Sequence, residues 1–251
     1  MTNNAGPCTG DGAKDNGLLA IADDLSARVG DLRFRRPVAC VYNPLEYARA
    51  GFRAYVTRYG APPKELLILG MNPGPWGMAQ TGVPFGEVAH VRSWLDIDEP
   101  VGHPVGEIPS RPIMGFACTR SEVSGARVWG WARAAFGTPE RFFARCFVTN
   151  YCPLIFFDAA GHNLTPDRLA RADQVELFAI CDNAFRRTAL LVEARQVIAL
   201  GVFAFVRAQE ALAGTGCTVT AVPHPSPANP AANRGWSRLM TAAVPGWIPP
   251  R

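Results

Sequence analysis

Three polar side chains stand just past short apolar runs in this 251-residue chain: Asn72 after LLILG, Asn150 within CFVTNY, and His224 at the end of CTVTAVPH. A neutral amide or imidazole offers both a donor and an acceptor. Such a set suits a flat, neutral ligand and metal-free chemistry carried by neutral amides and an imidazole. Around Asn72 lie Met71, Gly74, Trp76, Met78 and Phe85, apolar and aromatic surface of the kind a heterocycle pocket needs. The stretch from Gly70 to Gly86 carries five glycines and three prolines, which predicts an ordered loop that is neither helix nor paired strand. Taken alone, the loop fits a pocket for a flat heterocycle or a glycine-rich connector whose aromatics plug the core.

The elements that must position these residues follow from periodicity. Leu66 to Leu69 and Cys146 to Tyr151 read as buried strands, and Arg195 to Gly201 and Cys217 to His224 as two further strands. Between them run helical patterns. Leu18 to Leu32 forms one amphipathic face. Asn43, Pro44 and Glu46 make a capping box for a helix through Tyr59. His90 to Leu95 predicts a short helix, Asp96 to Pro112 an irregular excursion, and Ser124 caps a helix ending at Gly137. Thr165 and Pro166 cap a long helix whose apolar face includes Leu169, Val175, Phe178 and Phe185. Val202 to Leu212 follows the third strand, and Asn229 with Pro230 caps a last helix with Trp236, Leu239, Met240 and Ala243 inward. Strand and helix alternating in this way predict an α/β three-layer sandwich with a central four-stranded parallel sheet. Ligands bind at the carboxyl ends of such strands, where Asn72, Asn150 and His224 all fall. A lone histidine is commonly structural, but His224 sits in a turn stiffened by Pro225 and Pro227.

Composition narrows the classes. A chain with 48% hydrophobic residues and this length can bury one full core, so residues 18–251 are expected to form a single domain behind a disordered tail, residues 1–17. The net charge of +4 permits an acidic partner, although the arginines are scattered singly and must fold onto one face to contact nucleic acid. The absence of a long apolar run or signal-peptide pattern leads to the expectation of a cytoplasmic protein. Seven cysteines without a C-x-x-C pair read as reduced buried thiols. Neither a triphosphate loop, a dinucleotide fingerprint, a serine-hydrolase elbow nor a zinc motif is present, and no cofactor or metal is expected. The segment Arg120 to Arg127, with its hydroxyls and arginines, suits either a phosphate-contacting helix start or a solvated first turn.

GMNPGPWGMAQTGVPFGE (70–87), SEVSGAR (121–127) and HPSPANPAANRGW (224–236), with NYCPL and NLTP between them, resemble the single-strand-selective monofunctional uracil-DNA glycosylase family. The likeness is collinear from about Tyr42 to Leu239. It implies the uracil-DNA glycosylase fold and hydrolysis of the bond between uracil and deoxyribose, leaving an abasic site in single- or double-stranded DNA. The target nucleotide is extruded into a pocket for this. By similarity, Phe85 stacks on the base and Asn150 reads its Watson–Crick edge. Asn72 holds the attacking water, and His224 donates to the 2-oxo oxygen as charge builds there. The backbone around Met71 adds contacts to the base. No lysine nucleophile is implied. DNA contacts are assigned to Ser226, Pro227, Ala228, Asn229, Asn233 and Arg234, to Ser121 and Ser124, and to the loop Ala160 to Thr165 with Gly161 and Asn163. A monomer is expected.

Departures carry information. Classical uracil glycosylases have Asp where Asn72 stands and Tyr where Gly74 stands. An amide cannot act as a general base, which predicts a slower enzyme. Gly74 leaves room at the 5-position of the base, which predicts acceptance of 5-hydroxymethyluracil. The family's basic wedge residue is replaced by Ala228 and its Phe by Trp76, and a methyl group fills a duplex gap less well. Other readings are a glycosylase for the deaminated purines xanthine and hypoxanthine, a non-catalytic base-flipping DNA binder, and a free-nucleoside hydrolase.

Overall fold

The computed structural model describes residues 12–248. The four expected strands are present: β2 (Leu66–Gly70), β3 (Cys146–Asn150), β6 (Gln196–Leu200) and β7 (Thr218–Val222) form one sheet in the order β3-β2-β6-β7. Every neighbouring pair is parallel, with Gly70 opposite Asn150 and Leu69 opposite Ala199. The central strand β2 is buried throughout, as an all-apolar strand covered on both faces must be. The crossovers that parallel pairing requires are supplied by helices. Helices α4 (Met78–Thr81), α5 (Val88–Ser93), α6 (Val123–Phe136) and α7 (Pro139–Phe143) lie between β2 and β3, α8 (Arg171–Leu191) between β3 and β6, and α9 (Val202–Ala211) between β6 and β7, while α1 (Gly12–Gly30), α2 (Pro44–Tyr47) and α3 (Arg49–Tyr59) precede the sheet and α10 (Pro230–Asn233) and α11 (Trp236–Ala243) follow it. Helices α1, α8 and α9 pack together in one group, and α5, α6, α7 and α11 in another. The main buried cluster runs from Leu18 to Val244. No described helix is long and apolar enough to cross a membrane.

Several sequence expectations are corrected. Residues 1–11 of the expected tail lie outside the described residues; α1 begins at Gly12, within the span expected as tail, and Gly17 lies against Leu191 of α8. The loop from Gly70 to Gly86 contains the single-turn helix α4, and its first residue pairs within the sheet. The helix after Asn43 breaks at Ala48 into α2 and α3. Asn43 does cap, accepting from the Leu45 backbone, while Glu46 meets its side-chain amide at 3.1 Å. Glu122, not Ser124, occupies the cap position of α6 and makes no side-chain capping bond. Thr165 and Pro166 open a single 3-10 turn, with α8 starting later and Val175 exposed. Asn229 caps the four-residue α10. Gly235, at φ 124°, separates it from α11, on which Leu239 points outward. Local signals placed the caps at Asn43 and Asn229 but missed the starts of α1, α6 and α8 and the turns at which helices break.

A second, antiparallel sheet was not legible. It joins β1 (Cys40–Tyr42), β4 (Ile155–Phe157) and β5 (Asn163–Leu164) in that order. Strands of two or three residues are too short to display alternation. This small sheet fixes the segment after β3, including the Leu154 carbonyl used below.

Candidate active site

The carboxyl ends of β2 and β3 and the chain after β7 open on one pocket of about 360 Å³. Met71, Asn72, Gly74, Phe85, Asn150 and His224 all line it, so the three polar residues singled out by strand position do converge. Ladder pairing continues just beyond the sheet, where Tyr151 N donates to Gly70 O and Cys152 N to Met71 O, both at 2.9 Å. That locks the backbone on either side of Asn72 and Asn150.

Asn72 directs its amide nitrogen away from the ligand space. Nδ2 donates to Leu154 O at 3.1 Å, with a longer contact to Pro73 O at 3.5 Å. The remaining group, Oδ1, is an acceptor, suited to holding a water. Asn150 is oriented in the complementary sense. Its Nδ2 donates to Met78 Sδ at 3.3 Å, and its Oδ1 is buried with no partner. An unmatched buried acceptor costs free energy unless a ligand supplies the donor. The N3–H of a uracil ring is such a donor.

Phe85 adopts φ 54°, a left-handed conformation that is strained for a bulky residue. Its carbonyl accepts from Trp129 Nε1 at 3.0 Å, and its ring lies against Gly70, where an added Cβ would come within 2.5 Å of both Phe85 Cζ and Asn150 Oδ1. The glycine ending β2 is therefore required by close approach: only a bare Cα lets the ring and the amide share that corner.

His224 is neutral. Burial pushes its pKa down to about 4, and Nδ1 accepts from Ser226 N at 3.1 Å. With Nδ1 used as an acceptor, the single proton sits on Nε2 and can be donated. The loop carrying it is clamped by Arg127 of α6, which reaches Pro225 O at 2.9 Å, Ser226 O at 3.3 Å and Asn233 Oδ1 at 2.8 Å.

Glu122 also lines the pocket, and the sequence reading missed it. Its Oε2 is buried without a partner. Burial first, and then the nearby Glu87 carboxylate, push its pKa up to about 7. Glu87 is held below its ordinary value despite its own burial, through hydrogen bonds from His90 and Ser121. The one available signal was an acid at a helix start that need not cap it.

The remaining assigned residues divide. Ser124, Asn163 and Ser226 reach the pocket, as does Thr165. Met78 does not: it is buried in α4 with Ala22 and Leu45 and supports Asn150 from behind. Trp76 also stands outside the pocket wall. Its ring lies under Arg120, at 4.3 Å, and Arg111, at 5.8 Å. Ser121 is turned to Glu87. Gly161 sits in a turn at φ 78° whose backbone is tied to Asp158. Pro227, Ala228, Asn233 and Arg234 are exposed on the rim. Asn229 spends its oxygen capping α10, and Asn233 Nδ2 donates to Pro227 O at 2.9 Å, so both amides help hold the loop.

Comparison with known proteins shows the family and the fold. Residues 57–243 match the uracil DNA glycosylase superfamily. The chain is 49% identical over 232 residues to the mouse single-strand selective monofunctional uracil DNA glycosylase, covering 92% of this chain and 82% of that protein. It is 50% identical over 214 residues to the rat protein of that name, covering 84% and 77%. The crystal structure of Pedobacter heparinus SMUG2 superimposes with a TM-score of 0.64 at 20% identity, covering 90% of this chain and 97% of that one, a likeness of fold. The chain belongs to the uracil-DNA glycosylase superfamily, within its single-strand-selective monofunctional family.

Proposed function

We propose that this protein is a monofunctional DNA glycosylase that hydrolyses the N-glycosidic bond of uracil and of 5-substituted uracils such as 5-hydroxymethyluracil, in single- and double-stranded DNA. The observation that carries the reading is the convergence of Asn72, Asn150 and His224 on one pocket, with Asn150 Oδ1 buried and unmatched. The base enters by flipping out of the strand and stacks on Phe85. Asn150 Oδ1 accepts from N3–H, and the second Nδ2 hydrogen faces O4. As the C1′–N1 bond breaks, its electron pair moves onto the uracil ring. His224 Nε2–H donates to O2 as charge builds, a hydrogen bond strongest in the transition state. The water held by Asn72 Oδ1 adds to C1′ and loses its proton to solvent.

Because an amide orients the water without removing its proton beforehand, bond breaking leads and attack follows. The chain has only two lysines, Lys14 and Lys64. Lys64 precedes β2, at the end of the strand opposite the pocket, and donates to Phe143 O. Among the described residues no amine lines the pocket for a covalent intermediate, which supports monofunctional hydrolysis without strand cleavage.

The test uses oligonucleotides containing uracil, 5-hydroxymethyluracil, hypoxanthine or xanthine, single- and double-stranded, scored for alkali-labile sites. Release of uracil without strand nicking is expected. Release from none of them overturns the proposal, and release confined to the purines favours a deaminated-purine enzyme.

A further inference from the structure

The base pocket holds one ionisable group that the mechanism above does not use. The Glu122 carboxyl lies on its wall, directly against the Cα atoms of Gly74 and Gly77. A Cβ built on Gly74 would come within 2.8 Å of Oε2 and 3.1 Å of Oε1, and one on Gly77 would overlap Oε2 outright. Oε2 is buried with no hydrogen-bond partner. Although Glu122 occupies the cap position of α6, it makes no side-chain bond to the helix. A buried carboxyl that caps nothing and pairs with nothing is poorly explained as scaffold. The pocket is what it borders.

We infer that Glu122 is a specificity-determining residue that hydrogen-bonds an oxygen carried on the 5-position of the flipped base. The inference rests on the glycosylase reading, in which the side of the base facing Gly74 is its 5-position. A carboxyl in this position discriminates by its proton. The groups around it are Glu87 with His90 from α5, Arg120 over Trp76 on the adjoining loop, and His224 across the pocket. Glu87 is the one that acts on it, and together with burial it raises Glu122 to about pH 7. Two carboxyl groups then share the work: Glu87 stays ionised on its donors while Glu122 holds its proton until the pH rises through about 7. A neutral acid donates its O–H to a 5-formyl oxygen and can both donate to and accept from a 5-hydroxymethyl group. An ionised one can only accept. The 5-formyl group, which has no hydrogen to donate, therefore depends on the protonated form, whereas 5-hydroxymethyl tolerates either form.

The experiment is single-turnover excision from single-stranded oligonucleotides bearing uracil, 5-hydroxymethyluracil or 5-formyluracil, by wild type, Glu122→Met and Glu122→Gln. For Glu122→Met the rates on both oxidised bases, each divided by the rate on uracil, are expected to fall by about tenfold, as for one lost polar contact. In wild type the formyl-to-uracil ratio is expected to drop between pH 6 and pH 8.5, while the hydroxymethyl-to-uracil ratio changes little. His224, at about 4, titrates below that window. Glu122→Gln keeps a donor and an acceptor without titrating, so its formyl ratio should stay near the low-pH wild-type value and become flat with pH. Unchanged ratios in Glu122→Met overturn the inference. If that variant does not fold, a wild-type formyl ratio that is flat with pH, or a Glu122→Gln ratio as pH-dependent as wild type, overturns it equally. No release of uracil by wild type instead overturns the glycosylase reading on which the inference stands.

Discussion

Two loops wall the pocket, and they are held in opposite ways. From Gly77 to Val88 the first loop is buried without a break. Its turns are tied internally, Gln80 Nε2 to Pro75 O at 2.9 Å and Thr81 Oγ1 to Gly86 O at 3.0 Å, and Trp129 fixes the strained Phe85. Across the pocket, the loop after β7 leaves Pro227, Ala228, Asn233 and Arg234 exposed, and polar contacts from Arg127, Asn229 and Asn233 hold it. The difference matches two tasks. Discriminating a base requires walls fixed by close packing, whereas meeting a nucleic-acid backbone requires exposed groups on a shaped but solvated loop. Substitutions in the first loop should therefore change which base is cut, and those in the second which form of DNA is engaged.

The largest test is at the chemistry itself. Asn72→Ala and His224→Ala should each lower the single-turnover rate on single-stranded uracil DNA by about 10²–10³-fold, the usual worth of one transition-state hydrogen bond. Binding of the same DNA, followed by fluorescence anisotropy, should change far less. If both variants keep near wild-type rates, the pocket is not where the bond breaks.

Next comes Gly70→Ala, which tests whether the buried wall works by close approach. The added methyl displaces Phe85 or Asn150, and overpacking of this kind costs about 1–3 kcal/mol. Thermal unfolding should show a lower midpoint, and uracil excision should fall together with it. An unaffected midpoint would mean that the corner is looser than the geometry requires.

Arg127→Met removes the clamp on the exposed loop while leaving the buried wall intact. Excision should drop about tenfold, corresponding to lost charge-assisted hydrogen bonds, with only a small shift in the unfolding midpoint. Smaller still is Ala228→Arg, which should raise activity on duplex uracil a few-fold relative to single strands by restoring a side chain able to fill the gap left by the flipped base. An unchanged ratio of duplex to single-strand rates counts against a wedge at this position.

The two titrating groups of the pocket should also leave opposite marks on stability. His224 is depressed from 6.5 to about 4, so its contribution is present above the unfolded value and is lost as pH falls through the folded one. Glu122 is raised from 4.5 to about 7, so its contribution is present below pH 4.5 and is lost as pH rises through 7. Glu122→Gln removes only the second effect. Its unfolding midpoint relative to wild type should rise between pH 4.5 and pH 7.5, and a constant difference would show that the carboxyl is not desolvated.

Much of the fold was readable because four strands joined by helical crossovers admit few arrangements. The carboxyl-end rule then places Asn72, Asn150 and His224 on one rim of the sheet. The errors lie where the signal is short or indirect. Two-residue and three-residue strands carry no period, and Ala48 and Gly235 break helices that local pattern alone would continue. Met78 and Trp76 share the loop of Asn72, and their apolar types gave no indication of facing the core and Arg120 instead of the ligand.

The sequence by itself determined the residue types of the chemistry and their places at strand ends, since strand periodicity and parallel topology are local and combinatorial properties. Tertiary structure alone decided what those groups are set to do. Leu154, eighty-two positions beyond Asn72, turns its amide so that the oxygen remains for water. Met78, seventy-two positions before Asn150, leaves that residue's acceptor unmatched for a base. Burial beside Glu87 turns Glu122 from an unremarked acid into a group that titrates near neutral pH, at about 7. The orientation of an amide and the charge of a carboxyl depend on neighbours brought close by folding and on the exclusion of water. Neither is a property of spacing along the chain.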